Sequence, residues 1–206
     1  MELNLYGLMK QLKILNIKFF KKISYIMKKI LCIFLIIYTL NLVADERVYK
    51  LNKLFNDLRI DNKSISAEVE QKIWKIWSTH PNNKRLTNML AEGTDLVNNQ
   101  KLNEAIIKFS NVIELDPNWA EAWNKRATVF YLIGEYQKSQ NDIDKVLGLE
   151  KRHFGALAGQ GLVNIELQNY EKAIKSYQDA MKIYPTMNSG KIMIKRIREL
   201  IKKQSI

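Results

Sequence analysis

Residues 120–153 read AEAWNKRATVFYLIGEYQKSQNDIDKVLGLEKRH, and the 34 residues on each side of them carry the same pattern. Three blocks align without insertion: Leu86–Trp119, Ala120–His153 and Phe154–Met187. Block position 4 holds Met89, Trp123 and Leu157; position 8 holds Gly93, Ala127 and Gly161; position 11 holds Leu96, Phe130 and Asn164. Position 20 holds Ala105, Ser139 and Ala173; position 24 holds Phe109, Ile143 and Tyr177; position 27 holds Val112, Val146 and Ala180; position 32 holds Pro117, Lys151 and Pro185. Small residues at positions 8 and 20 let two helices of a block approach closely, and large apolar residues at 4, 11 and 24 fill the space around that contact. Turn residues interrupt each block at Asn98-Asn99-Gln100, Gly134-Glu135 and Gln168-Asn169. One such helix pair cannot bury its apolar face, whereas three stacked pairs bury a continuous core whose end units need covering.

The pattern resembles the tetratricopeptide repeat (TPR), and the resemblance spans 102 of 206 residues. It implies an all-α solenoid of helix-turn-helix pairs with capping helices at both ends. Pro117 is expected to stop one helix, and Asn118 with Glu121 three residues on resembles a capping box that opens the next. Three departures stand out: Lys151 in place of the stop proline, Ser139 where Ala is usual, and Asn164 where an aromatic is expected. Two stretches, Trp123-Asn124-Lys125-Arg126-Ala127-Thr128 and Lys151-Arg152-His153-Phe154-Gly155-Ala156-Leu157, are similar to a subgroup of bacterial cell-envelope TPR proteins whose members generally lack an assigned activity.

Residues 45–85 do not fit the 34-residue template and are expected to form a divergent helical pair that caps the stack. Its first helix places Val48, Leu51, Phe55 and Leu58 on one stripe, and its second, Ser66–Ser78, does the same with Val69, Ile73, Ile76 and Trp77. Asp61–Ser64 is the expected loop, and Trp74 and Trp77 are expected in the core. At the other end, residues 188–206 form a basic capping helix with an apolar stripe of Ile192, Met193, Ile197, Leu200 and Ile201, and with Lys191, Lys195, Arg198 and Lys202 elsewhere on it.

The chain has 33 Lys+Arg against 21 Asp+Glu, a formal net charge of +12. That charge is terminal. Residues 1–44 contribute +6 and residues 186–206 contribute +5, leaving the repeat body nearly neutral. A nucleic-acid domain would carry its basic residues as a patch on the folded body, so no nucleic-acid partner is expected. Met27-Lys28-Lys29, the apolar stretch Ile30–Leu40 and the small Ala44 before Asp45-Glu46 have the layout of a secretory signal peptide, with cleavage after Ala44. The alternative is an uncleaved membrane anchor, for which the apolar run is short of the roughly 20 residues of a membrane span. Met27 is the expected start, with residues 1–26 a doubtful extension ahead of it. Either reading places the repeats outside the cytoplasm, in the periplasm or exported, or anchored in the inner membrane and facing outward. Cys32 lies within the apolar stretch, so a cleaved chain has no cysteine and no disulfide.

Catalytic chemistry is not signalled. His80 and His153 are the only histidines and neither has a second metal ligand at suitable spacing, so no metal is expected. His153 is expected as a polar turn residue. Gly155, Gly159 and Gly161 match no phosphate-binding loop and belong to a helix, so no cofactor is expected.

Binding is then the expected activity, with a protein or peptide of the cell envelope as partner. In the family the first helix of each repeat lines a concave groove. By similarity this chain presents Thr87, Leu90, Thr94, Val97 and Asn98; then Glu121, Asn124, Thr128, Tyr131 and Leu132; then Gly155, Ala158, Leu162, Ile165 and Glu166. Tyr131 is the expected aromatic anchor and Asn124 the polar register. A chaperone-tail clamp of this family would need Lys, Asn and basic residues where this chain has Leu90, Thr94, Lys125, Gly155 and Gly159, so that clamp is absent. The two glycines Gly155 and Gly159 each cost about 1 kcal/mol in a helix relative to Ala, which points to close backbone approach by a neighbour. That neighbour is either a partner segment or the chain's own N-terminal helices. A different reading attaches the protein to a membrane surface through its basic C-terminal helix and an uncleaved N-terminal segment.

Overall fold

A computed structural model describes residues 25–31, 46–60 and 62–204, all-α among those residues. The chain divides into two units, Met1–Val48 and Tyr49–Ile206. In the first unit residues 25–31 are helical and exposed. The remainder of the expected signal or anchor, and most of residues 1–26, lie outside the described residues. Among the described residues no helix is long and apolar enough to cross a membrane.

The second unit begins within helix α1 (46–58) and continues with α2 (Lys63–Trp77), α3 (Lys84–Asn98), α4 (Leu102–Leu115), α5 (Ala120–Leu132), α6 (Tyr136–Leu149), α7 (Phe154–Glu166), α8 (Tyr170–Ile183) and α9 (Asn188–Gln204). From α3 onward each helix packs on the next, and the first helices of successive repeats, α3, α5 and α7, also touch one another. Those three helices form one row along the stack.

The close approach expected at block position 8 is literal at two of its three residues. A Cβ on Gly93 would run into the ring of Phe109, and one on Gly161 into the ring of Tyr177. Position 8 therefore meets position 24 of the same repeat, and Phe109 and Tyr177 are buried by the backbone they lie against. In the middle repeat Ala127 meets the smaller Ile143, and Ser139 uses the same proximity: its hydroxyl donates to the Ala127 carbonyl at 2.8 Å. The polar substitution at position 20 thus adds a buried hydrogen bond. Asn164 is also satisfied, donating from Nδ2 to the Gln160 carbonyl at 2.9 Å.

Each repeat turns at the same place. Gln100, Gly134 and Gln168, all at block position 15, take left-handed conformations with φ of 59°, 79° and 58°. Only the middle repeat uses glycine, for which that region carries no Cβ penalty.

Four local expectations are corrected. The capping box at Asn118 and Glu121 does not form: Trp119 occupies the N-cap position of α5 without a side-chain cap, and Asp116 Oδ1 accepts from the Asn118 N–H at 2.9 Å. Helix α2 starts at Lys63, because Asn62 Oδ1 caps it by accepting from the N–H groups of Ser64 and Ile65 at 3.0 and 3.3 Å. Val48 is exposed, while Leu51, Phe55 and Leu58 of the same stripe are buried. On α9 the buried stripe runs through Ile194 and Ile197, with Ile201 packed beside them, and Ile192 faces outward at 64% exposure. The helical period through Ile194, Ile197 and Ile201 leaves Ile192 about a third of a turn or more outside the packed face.

Candidate functional site

The N-terminal pair, expected to cap the stack and, as one of two alternatives, to fill the groove itself, is strapped across the repeat junctions by α2. The helix meets those junctions in reverse order. At its middle the Glu70 carboxylate accepts from the Tyr184 hydroxyl, after α8, at 3.0 Å. One turn later the Trp74 indole covers Gly155 at the start of α7, where an added Cβ would collide with it. At its end Trp77 stacks on His153, before α7, with centroids 4.0 Å apart and planes at 8°. The Trp77 carbonyl accepts from the Trp119 indole, before α5, at 2.8 Å. Just beyond the helix His80 Nε2 lies 2.7 Å from Asp116 Oδ2 and its ring packs edge-on to Trp119.

The cluster beneath this strap is aromatic. Phe55 and Trp77 from the N-terminal pair meet Phe154 and Tyr184 from the third repeat, with Leu51, Leu58, Val69 and Ile73 completing the packing. Arg152 closes its edge, lying 4.3 Å over the Phe55 ring while its Nη1 donates to Asn52 Oδ1 at 2.7 Å. Burial, reinforced by the hydrogen bond to Glu70, raises the Tyr184 phenol above its ordinary pKa.

His153 is the centre of this arrangement. It is not a solvated turn residue: its side chain is 0% exposed. Its Nδ1 accepts from the Ala156 N–H at 3.0 Å, capping α7, which leaves the ring proton on Nε2, 3.1 Å from Glu121 Oε2. The same carboxylate oxygen accepts from Asn124 Nδ2 at 3.2 Å, and Lys125 Nζ lies 3.5 Å from Oε1.

Consequently the expected groove residues fall into two groups. Glu121 at 1% exposure and Asn124 at 9% are inside the fold and bonded to each other, and Gly155 lies under Trp74. Leu90 belongs to the core of the first repeat. Ala158 and Ile165 pack against the α8–α9 cluster, and Thr94 and Val97 are half-buried on α3. Thr128, Leu132 and Glu166 are exposed, with Tyr131 and Leu162 half-buried beside them. Asn124 and Glu121 therefore cannot set a partner's register, because the strap and His153 have taken the face they occupy.

The uncovered half lies at the C-terminal ends of α5 and α7. There Ala127, Thr128, Tyr131, Ser139, Ile143, Gly159 and Leu162 surround a mostly apolar cavity of about 60 Å³. Tyr131 is tilted against Tyr136 with centroids 5.7 Å apart, and its hydroxyl donates to Glu166 Oε1 at 3.4 Å. Burial first, then Glu166, pushes the Tyr131 phenol up. Among the described residues no group of three or more His, Cys, Asp or Glu could hold a metal ion.

The two glycines now separate. At Gly155 the close neighbour is the chain's own Trp74, so Gly155→Ala is expected to destabilise by about 1–3 kcal/mol through overpacking. At Gly159 an added Cβ would sit 3.7 Å from Ile143 Cδ1, an ordinary contact, so Gly159→Ala is expected to stabilise by about 1 kcal/mol through helix propensity. Opposite shifts in urea midpoint check the pair.

A family model described as "Tetratricopeptide repeat" matches residues 155–187. A TPR repeat-containing protein of Rhizobium etli is 30% identical over 152 residues, covering 73% of this chain and 74% of that protein. Hsp70-Hsp90 organizing protein 3 of Arabidopsis thaliana is 25% identical over 55% of this chain, which spans only 20% of that protein's length. Among solved structures, the first TPR of Spaghetti (RPAP3) bound to the HSP90 peptide SRMEEVD superposes with a TM-score of 0.56 at 17% identity, covering 59% of this chain and 96% of that one.

Proposed function

This chain belongs to the tetratricopeptide-repeat family, and from that membership we propose that it is a non-enzymatic protein-interaction module of the bacterial cell envelope. It holds an apolar peptide or helix of another envelope protein in the uncovered half of its groove. The observation that carries this reading is the small apolar cavity between α5 and α7, walled by Tyr131 and Leu162 and left open where α2 does not reach. A cavity of about 60 Å³ suits the tip of one aliphatic side chain. Tyr131 supplies the aromatic wall typical of residues that dominate binding energy.

Peptide-bound relatives point to a linear ligand, yet the acidic chaperone tail is not the ligand proposed. The family's clamp positions here hold Leu90, Thr94, Lys125, Gly155 and Gly159. Leu90 is buried, Lys125 pairs with Glu121, and Gly155 is roofed by Trp74. The envelope location rests on the leader-like residues 27–44.

The test is capture from envelope extract by the wild type and by a Tyr131→Ala/Leu162→Ala variant of matched helicity and melting temperature. The expected result is at least a tenfold drop in recovery of the proteins held by the wild type. Equal recovery by the two baits would rule out the groove as the binding surface.

A further inference from the structure

Helix α9 carries six cations, Lys191, Lys195, Arg196, Arg198, Lys202 and Lys203, against the single carboxylate of Glu199. All of these are exposed, because the helix spends its apolar stripe, Ile194, Ile197 and Ile201, on packing against α8. Lys191, Lys195, Arg198 and Lys202 follow spacings of four, three and four. At 100° per residue those four fall on one line along the helix, spanning roughly 16 Å at 1.5 Å per residue.

Elsewhere six lysines are matched with carboxylates: Lys72 with Glu68, Lys101 with Glu104, Lys108 with Glu92, Lys138 with Glu135, and Lys175 and Lys182 with Asp179. Among the described residues no cation of α9 forms an ion pair. A row of unmatched, like-charged side chains raises the folded state's self-repulsion. An external layer of negative charge removes that repulsion.

We propose that this face of α9 is a docking surface for an anionic lipid bilayer. The row runs straight along the helix, which fits a planar array of phosphates. Ile192, 64% exposed beside the cations, can enter the headgroup region. The helix has no aromatic residue on which bases could stack, so a single-stranded nucleic acid finds no platform there. The surface is separate from the groove, so the two activities are independent.

The full chain is mixed with vesicles of phosphatidylcholine containing 30% phosphatidylglycerol, and with pure phosphatidylcholine vesicles, at low salt, and sedimented. Three proteins are compared: the wild type, Lys191→Gln/Lys195→Gln/Arg198→Gln/Lys202→Gln, and a charge-matched control, Lys72→Gln/Lys101→Gln/Lys108→Gln/Lys138→Gln. Circular dichroism verifies that all three are folded. A juxtamembrane cation is worth about fivefold in partition, so the α9 variant should lose roughly 100-fold or more of its preference for anionic vesicles. The control should keep that preference. Equal losses in the two variants would show net charge rather than a site and would overturn the proposal. So would an α9-dependent binding of duplex DNA at the same salt that exceeds binding to the vesicles.

Discussion

Trp77→Ala is expected to destabilise the second unit by about 3–5 kcal/mol, the range for deleting a large buried aromatic. Trp77 is 5% exposed and its indole packs against Phe55, Trp74, His153 and Phe154. The indole nitrogen, by contrast, is buried without a hydrogen-bond partner. Trp77→Phe should therefore cost only about 1 kcal/mol, as a change of shape with no lost polar contact. Equilibrium urea denaturation measures both. Hydrogen exchange on Trp77→Ala adds a location: amides of Lys63–Trp77 should lose protection while those of α5 to α8 keep most of theirs. Uniform loss across the unit would contradict a strap laid over an otherwise self-supporting stack.

Glu121→Ala is expected to cost about 3 kcal/mol, because it strands two buried donors at once. The His153 Nε2–H and Asn124 Nδ2 both point at Glu121 Oε2, at 3.1 and 3.2 Å. An unsatisfied buried donor costs about 1–3 kcal/mol, and removing one member of a buried polar pair falls at the upper end. Glu121→Gln keeps an acceptor for His153 and should lose about 1 kcal/mol. The comparison separates two roles for this residue. If Glu121 acted on a partner from the groove wall, Glu121→Ala would leave the urea midpoint unchanged and reduce only capture.

Much of this architecture was legible in the repeat. Gly93 with Phe109, and Gly161 with Tyr177, sit at fixed block positions, and their collision geometry follows from helix packing within one repeat. The positions of the turns were equally legible, although the left-handed Gln100 and Gln168 were not, since a side chain there gives no signal that glycine would have given. The groove was only half legible. Thr128, Tyr131 and Leu162 line a cavity, whereas Glu121 and Asn124 are buried beside His153 and Gly155 lies under Trp74 of α2, which is outside the repeat.

Besides Gly155, a second signal for that closure lies in the repeat itself. Block position 34, the last before each new repeat, holds Trp119, His153 and Met187, all unusual for a solvated junction. Trp119 bonds the Trp77 carbonyl, His153 stacks on Trp77, and Met187 packs on the same cluster.

What the sequence by itself determined is therefore everything with a period: the 34-residue unit, the paired helices, the small-against-large contacts inside each pair and the concentration of charge at the ends. These are local or nearest-neighbour interactions, and repetition makes them visible three times over. What only the tertiary structure decided is the course of α2. Its apolar stripe fitted a cap in series as well as a strap across the junctions, because an amphipathic pattern fixes which face is buried and not what buries it. The contacts that choose between them, Glu70 to Tyr184 and Trp77 to His153, join residues 114 and 76 positions apart that occur once each, so no periodicity could announce them.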